Sequence, residues 1–362
     1  MELRSVRDAD VAGKRVLVRC DFDVPFDFAQ GKPHISDDTR IKAALPTINL
    51  LHERGASIIL IAHLHRPGGK VDEALRMAPI AAHLRTLTKA PFELLENLRF
   101  DPREERNDET FAQELASKGD LFVNEAFADS HREHASIVGV SRLLPSYAGL
   151  RFEDEIQKLS EALTPPKGAL AIIGGAKFET KQPLIEKLLS SYSKVLLGGA
   201  LGNDVIKARG LSVGASLVSN VPVPTAIASE ARLEIATDAV VSERAKNVER
   251  TALTNDIRAV EAIVDIGPNT ARAWGEAINT APFVLWNGPM GIYEDGHTRG
   301  TDALAEALAN SPTQAVVGGG DTVAAISKFS FDPARVFIST GGGAMLEFLT
   351  NGTLPGIEPL KK

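Results

Sequence analysis

Short apolar runs alternating with amphipathic stretches constrain this chain more than any other feature. RVLVRC (15–20), SIILIA (57–62), LFVNEA (121–126), ALAIIGG (169–175), KVLLGG (194–199), PFVLWNG (282–288), QAVVGG (314–319) and RVFIST (335–340) read as strands. They are too short for buried helices and too continuously apolar for strands with one wet face. Between them, stretches such as PTINLLHERG (46–55) and GTDALAEALANS (300–311) carry helical periodicity. The alternation predicts an α/β fold of Rossmann-like three-layer units, with mainly parallel sheets and right-handed crossovers. A chain of 362 residues exceeds one ordinary core, so two domains are expected. A break is expected within 145–168, where EDEIQKLSEAL (153–163) precedes Pro165–Pro166. That helix is either an interdomain connector or an ordinary surface helix.

Composition narrows the partners. A net charge of −7 argues against nucleic acid or an anionic membrane surface, without excluding a local basic pocket. The single cysteine, Cys20, permits no intrachain disulfide and no thiolate cluster, which fits a reducing compartment. The stretch MELRSVRDADVAGKR lacks the apolar core of a signal peptide, and no apolar run approaches ~20 residues. A cytoplasmic location with no membrane partner is therefore expected.

In parallel sheets, ligands bind at the carboxyl ends of the strands. In the second half those ends carry glycine: Gly174–Gly175, Gly198–Gly199, Gly288, Gly318–Gly320 and Gly341–Gly343. VVGGGDTVAAI (316–326) has two readings. It is a plain strand-to-helix turn capped by Asp321 or Thr322, or a turn that lets a phosphate approach the backbone, with Asp321 carrying a magnesium ion. Neither a GxxxxGK[ST] loop nor a clear GxGxxG is present, which disfavours a Walker NTPase or a standard dinucleotide site. In the first half the strand ends carry charge: Arg19, Asp21 and Asp23, then His63 and Arg66, then His131, Arg132 and His134. Isolated pairs of this kind are usually structural, but several at successive strand ends suggest a pocket for a small anion. One half suited to a polyphosphate and one to a small anion point to a kinase for an anionic metabolite, closing about a hinge.

RVLVRCDFDVP (15–25), TRIKAALPTI (39–48), AHLHRP (62–67), LLENLRF (94–100), VNEAFADSHREHAS (123–136), AIIGGAKFETK (171–181), DIGP (265–268), WNGPMGIYE (286–294), GGGDT (318–322) and STGGGAMLEFL (339–349) stand in the order found in phosphoglycerate kinases. The chain resembles that family almost from end to end. The resemblance implies an N-terminal phosphoglycerate-binding domain (1–150), an interdomain helix (151–164) and a C-terminal nucleotide-binding domain (165–344) facing it across a cleft. A tail (345–362) would return to the first domain. It implies reversible phosphoryl transfer between 1,3-bisphosphoglycerate and ADP, giving 3-phosphoglycerate and MgATP, by a monomer. The nucleophile in the ATP-consuming direction is a carboxylate, ionised at neutral pH, so no general base is needed. Catalysis reduces to in-line positioning and charge neutralisation.

By the same resemblance, Arg40 would reach the transferring phosphoryl and the acceptor carboxylate, and Lys181 would stabilise the phosphoryl from the other domain. The amides of Gly341, Gly342 and Gly343 would hold its equatorial oxygens. Asp21, Asp23, His63, Arg66, Arg132 and Lys167 would line the phosphoglycerate site. Lys177, Gly320, Thr322, Asn287 and Glu294 would bind nucleotide, with Glu294 on the ribose, Asp321 on magnesium, and Gly198, Gly199 and Pro289 beside the adenine. Bland readings stand beside these: Lys177 and Lys181 as a solvated helix face, Trp286 as packing, His52 and His83 as surface residues, Cys20 as a small apolar side chain.

The chain departs from the family at the acceptor site. Asp23 replaces the usual asparagine, His65 the usual glycine of HLGRP, and Lys167 an arginine. The stretch from Arg76 to Glu96 is also short, so the first sheet is expected to be smaller or differently edged. A bare carboxylate at 23 is expected to repel the anionic acceptor, so Asp23→Asn is expected to tighten its binding. These departures motivate an alternative, a kinase of the same fold for another small carboxylate. A nucleotide-binding pseudoenzyme is the other alternative.

Overall fold

The computed structural model describes residues 1–27, 34–243, 245–246 and 248–362. The chain divides into two compact units, Met1–Ser160 with Asn351–Lys362, and Glu161–Thr350.

The first unit holds β1 (Arg15–Arg19), β2 (Phe26–Asp27), β3 (His34–Ile35), β4 (Ser57–Ile61), β5 (Phe92–Leu94), β6 (Leu121–Asn124) and β7 (Ser146–Ala148). Its helices are α1 (Thr39–Glu53), α2 (Ala78–Leu87), α3 (Glu109–Ala116), α4 (Val140–Leu143) and α5 (Leu150–Leu163), the last crossing the unit boundary. The main sheet runs β5-β4-β1-β6-β7, and every neighbouring pair is parallel. Val16–Arg19 are buried throughout, as a strand covered on both faces requires. One face packs Val16, Val18, Ile48, Leu51 and Leu84, and the other packs Leu17, Ile61, Phe111 and Phe122. The tail joins this unit through the Arg4 amide, which donates to the Leu360 carbonyl at 2.8 Å.

The second unit holds β8 (Leu170–Ile173), β9 (Lys194–Leu197), β10 (Leu233–Ile235), β11 (Asp238–Glu243), β12 (Val248–Leu253), β13 (Ala262–Ile266), β14 (Phe283–Asn287), β15 (Gln314–Gly318) and β16 (Val336–Ser339). Its helices are α6 (Phe178–Ser191), α7 (Gly199–Ala208), α8 (Thr225–Ala228), α9 (Pro268–Thr280), α10 (Arg299–Asn310), α11 (Gly320–Ile326) and α12 (Gly343–Asn351). The parallel sheet β10-β9-β8-β14-β15-β16 packs Trp286, Val284, Ile172 and Val317 against Trp274, Ile278, Leu304 and Leu308. The antiparallel sheet β12-β11-β13 is an addition to the expected architecture.

Two helix starts differ from the sequence reading. Pro46 lies inside α1, which begins at Thr39, and not at its first turn. The helix α5 starts at Leu150 because buried Glu125 receives it. The amides of Arg151 and Phe152 donate to Glu125 at 3.1 and 3.4 Å, and Thr47 Oγ1 accepts from Leu150 at 2.8 Å.

In each sheet the strand order reverses beside a central strand, at β1/β6 in the first unit and β8/β14 in the second. The strand ends there are level. Arg19 is in register with Ile61 and Asn124, and Asn287 with Ile173 and Gly318. Loops leaving these ends therefore emerge side by side, at the positions where open α/β sheets bind ligands.

Candidate functional site

In the first unit, loops after β1, β4 and β6 bring together acids and bases. Asp21 is buried and accepts from Arg40 Nη1 at 2.6 Å, at the start of α1. Burial raises the Asp21 carboxyl, with the Arg40 guanidinium opposing it. His63 lies between two carboxylates, with Nδ1 3.3 Å from Asp129 Oδ2 and Nε2 3.6 Å from Asp23 Oδ2. Burial disfavours its charge, but the two carboxylates outweigh this and raise it. Arg66 is exposed on the loop after His63. Arg132 Nε donates to His131 Nε2 at 3.2 Å.

Several expectations change here. Asp21 and Asp23 lie beyond β1, which ends at Arg19, and so are loop residues. Arg19 is a buried brace and not a ligand group. It reaches Asp129 at 3.1 Å, Ser136 Oγ at 2.9 Å and His63 Nδ1 at 3.1 Å. His134 is buried too, and burial with Arg99 and Arg19 nearby pulls it down to about 3, so it is neutral. Asp23 is not a bare carboxylate. The His65 amide donates to its Oδ1 at 2.8 Å, and the His65 and His63 rings flank it. Although burial works against the anion, these groups hold Asp23 well below the usual carboxylate range. The expected repulsion is therefore largely answered from within the protein. Lys167 lies before β8, whereas the glycine turns follow the strands, so it occupies the opposite end of the sheet.

Sequence reasoning missed Arg99, although LLENLRF contains it. Its side chain is buried, Nη1 donates to the His65 carbonyl at 2.8 Å, and Nη2 has no hydrogen-bond partner among the described residues. A buried guanidinium with a spare donor beside a basic loop is the signal, and only burial reveals it.

In the second unit, Lys181 on α6 donates to Asn287 Oδ1 at 2.8 Å, and Asn287 Nδ2 donates to the Gly318 carbonyl at 2.8 Å. This chain links α6 to the ends of β14 and β15. Partial burial lowers the Lys181 ammonium to about 8, with Asp321 acting in the opposite direction. Thr322 is fully buried, and its Oγ1 accepts from the Gly288 amide at 2.6 Å. Asn287 and Thr322, expected as direct ligand contacts, thus spend their side chains on the turns themselves. Lys177 is exposed and held at φ 64, one of three non-glycine residues with positive φ among those described. Such strain concentrates at functional sites.

The glycines serve turn-against-turn packing as well. A Cβ on Gly174 would lie 2.1 Å from the Pro289 carbonyl oxygen, and one on Gly288, at φ 101, would lie 2.3 Å from Gly174. Beside these turns is a cavity of about 380 Å³, bordered by Gly175, Gly199, Pro289, Glu294 and Asp321. Gly198 packs on Met290 at its margin. Asn203, Leu217 and Val264, which were not anticipated, complete an apolar wall with one amide. Exposed Asp321 follows Gly320 in the first turn of α11, and Tyr293 Oη donates to it at 3.3 Å. After β16, the Gly341 amide donates to Ser339 Oγ at 3.1 Å, while Gly342 and Gly343 lead into α12, whose first N–H groups have no intrahelical acceptor.

A family model described as phosphoglycerate kinase matches residues 6–94 and 87–352. The two matches overlap at the end of α2 and at β5, the stretch read above as shortened. Relatives named phosphoglycerate kinase from Roseiflexus sp. and Herpetosiphon aurantiacus are 44% and 42% identical, over 99% of this chain and 99% of each relative. The solved structure of phosphoglycerate kinase from Coxiella burnetii is similar with a TM-score of 0.85 at 34% identity, covering 99% of this chain and 98% of that chain. That from Pyrococcus horikoshii gives 0.83 at 27%, with 99% and 98% covered.

Proposed function

This chain belongs to the phosphoglycerate kinase family, and from that membership we propose which residues handle each reactant. The activity is reversible phosphoryl transfer between 1,3-bisphosphoglycerate and ADP, giving 3-phosphoglycerate and ATP. The supporting observation is the contrast between the two sheet switch points: a cluster of acids and bases at β1/β6, and a lysine-braced set of glycine turns at β8/β14.

In the ATP-consuming direction, an acceptor carboxylate oxygen attacks the γ-phosphorus. The bond to the bridging oxygen breaks, and its electron pair leaves on the β-phosphate of ADP. Arg40, oriented by Asp21, neutralises charge on the acceptor and the transferring group. His63, Arg66, Arg132 and Arg99 hold the acceptor's anionic groups. Lys181, oriented by Asn287, meets the phosphoryl from the nucleotide side, with the amides of Gly342 and Gly343. Fixed donors of this kind need no reorganisation as charge moves, and one is commonly worth ~10²–10³ in turnover. The apolar cavity takes the adenine, and Glu294 takes the ribose.

The donor set fits a magnesium ion that arrives with the nucleotide. Among the described residues no group of three or more His, Cys, Asp or Glu side chains is placed to cage a metal, and Asp321 is an exposed carboxylate at the cavity. Magnesium is usually held by one or two carboxylates plus substrate phosphates. Bound there, it would neutralise phosphate charge. The reading includes a cytoplasmic monomer and a hinge motion that brings the reactants in line. It is tested by a coupled assay of 3-phosphoglycerate and MgATP beside a panel of other carboxylates. Turnover confined to 3-phosphoglycerate supports it. Faster turnover of another carboxylate favours the same-fold alternative, and none at all favours a pseudoenzyme.

A further inference from the structure

His65 is an odd residue to find where it is. Its φ of 53 places it in the left-handed region, which glycine adopts without penalty and a side chain does not. The residue is nevertheless fixed at three points. Its amide donates to Asp23 Oδ1 at 2.8 Å, its ring Nδ1 lies 3.2 Å from the same oxygen, and its carbonyl accepts from Arg99 Nη1 at 2.8 Å. The side chain is still 44% exposed, and no hydrogen bond or ion pair engages Nε2 among the described residues. A solvated surface histidine would have no reason to occupy a strained position with one ring nitrogen 3.2 Å from a carboxylate and the other left open. The backbone hydrogen bond to Asp23 and the ion-pair approach of Nδ1 to the same oxygen hold the residue in place and leave Nε2 on the open side of the ring.

The surroundings define the ligand. The loop carrying His65 continues into exposed Arg66. Asp23 also approaches His63 at 3.6 Å, and Asp21 with Arg40 follows the same strand. We propose that His65 is an additional acceptor-binding residue of this chain, with Asp23 as its positioning partner, so that the two act as one unit on 3-phosphoglycerate. This rests on the functional reading above. It reverses the expectation for Asp23→Asn. The carboxylate is the post that holds the imidazole, so losing its charge loosens a ligand contact instead of relieving repulsion.

The test is a double-mutant cycle on the full chain, with Asp23→Asn, His65→Gly and the double variant. An asparagine at 23 keeps an acceptor oxygen for the His65 amide, and a glycine at 65 suits the backbone. Each single change is expected to raise KM for 3-phosphoglycerate about tenfold, with KM for ATP moving less than twofold. The double variant should be no worse than either single one, because neither half acts without the other. His65→Asn, which tolerates the left-handed region and restores a polar group, should recover part of the loss. Melting temperatures separate this from a structural role, since His65→Gly relieves strain and should not lower Tm. Tighter 3-phosphoglycerate binding by Asp23→Asn overturns the proposal, as does an unchanged KM in His65→Gly or strict additivity in the double variant. A wild type that does not turn over 3-phosphoglycerate overturns the functional reading and the proposal with it. An active wild type with any of the other outcomes overturns the proposal alone.

Discussion

Lys181 carries a charge in a place that disfavours it. Partial burial brings its ammonium down to about 8, against an ordinary value near 10.5. The unfolded chain therefore binds this proton more readily than the folded one. The penalty is fully present below pH 8 and fades as pH rises from about 8 to 10.5. At 1.36 kcal/mol per pH unit the ceiling is roughly 3 kcal/mol, and residual water contact reduces it to about 1–2 kcal/mol. Lys181→Met should therefore raise Tm at pH 7, with a smaller gain at pH 10, while cutting turnover ~10²-fold or more. A lower Tm at pH 7 would contradict the assignment. Arg40 presents the opposite case. Its removal leaves buried Asp21 without the guanidinium that it accepts from at 2.6 Å. Arg40→Ala should lower turnover by ~10²–10³ while MgADP affinity, measured by calorimetry, stays within about threefold. Unchanged turnover would remove Arg40 from the catalytic set.

Elements place these residues, and glycine sets how closely the elements approach. Gly174→Ala forces a Cβ against the Pro289 carbonyl and should destabilise by about 1–3 kcal/mol, the usual cost of overpacking. Gly320 has nothing within 4 Å of its Cβ position, so Gly320→Ala should stay within about 0.5 kcal/mol. Thermal unfolding of both variants checks the pair, and equal effects would mean that turn packing does not set the requirement. The central strands were legible in the sequence because strands buried on both faces are written as continuous apolar runs. Short β5, β7 and β10 carry too few residues to leave a pattern, and the strands of the antiparallel sheet mix exposed Glu249 and Val248 with buried Ala252. The start of α5 was missed because its cap, Glu125, comes from 25 residues earlier in the chain, beyond any local signal. At the site, residue types and loop positions were legible. Which side chains face inward was not. Arg19, Asn287 and Thr322 act as braces because neighbouring strands and turns enclose them, and Arg99 meets the His65 carbonyl through a long-range contact that no local pattern shows.

With the acceptor proposed to bind the first unit and the nucleotide the second, ligand effects should separate across the whole molecule. Asp321→Ala should weaken MgADP binding about tenfold or more and leave 3-phosphoglycerate binding within about twofold, since one carboxylate contributes to a metal site shared with phosphates. Equal weakening of both ligands, read by separate titrations, would indicate a folding defect instead of a metal role. The most direct measurement follows the acyl phosphate itself. Enzyme, ATP, magnesium and 3-phosphoglycerate are incubated with hydroxylamine, which traps an acyl phosphate as its hydroxamate. Hydroxamate formation should require both ATP and 3-phosphoglycerate, match ADP release one for one, and be lost in Lys181→Met. ADP release without hydroxamate, or equal trapping from carboxylates that lack the 3-phosphate, would contradict this.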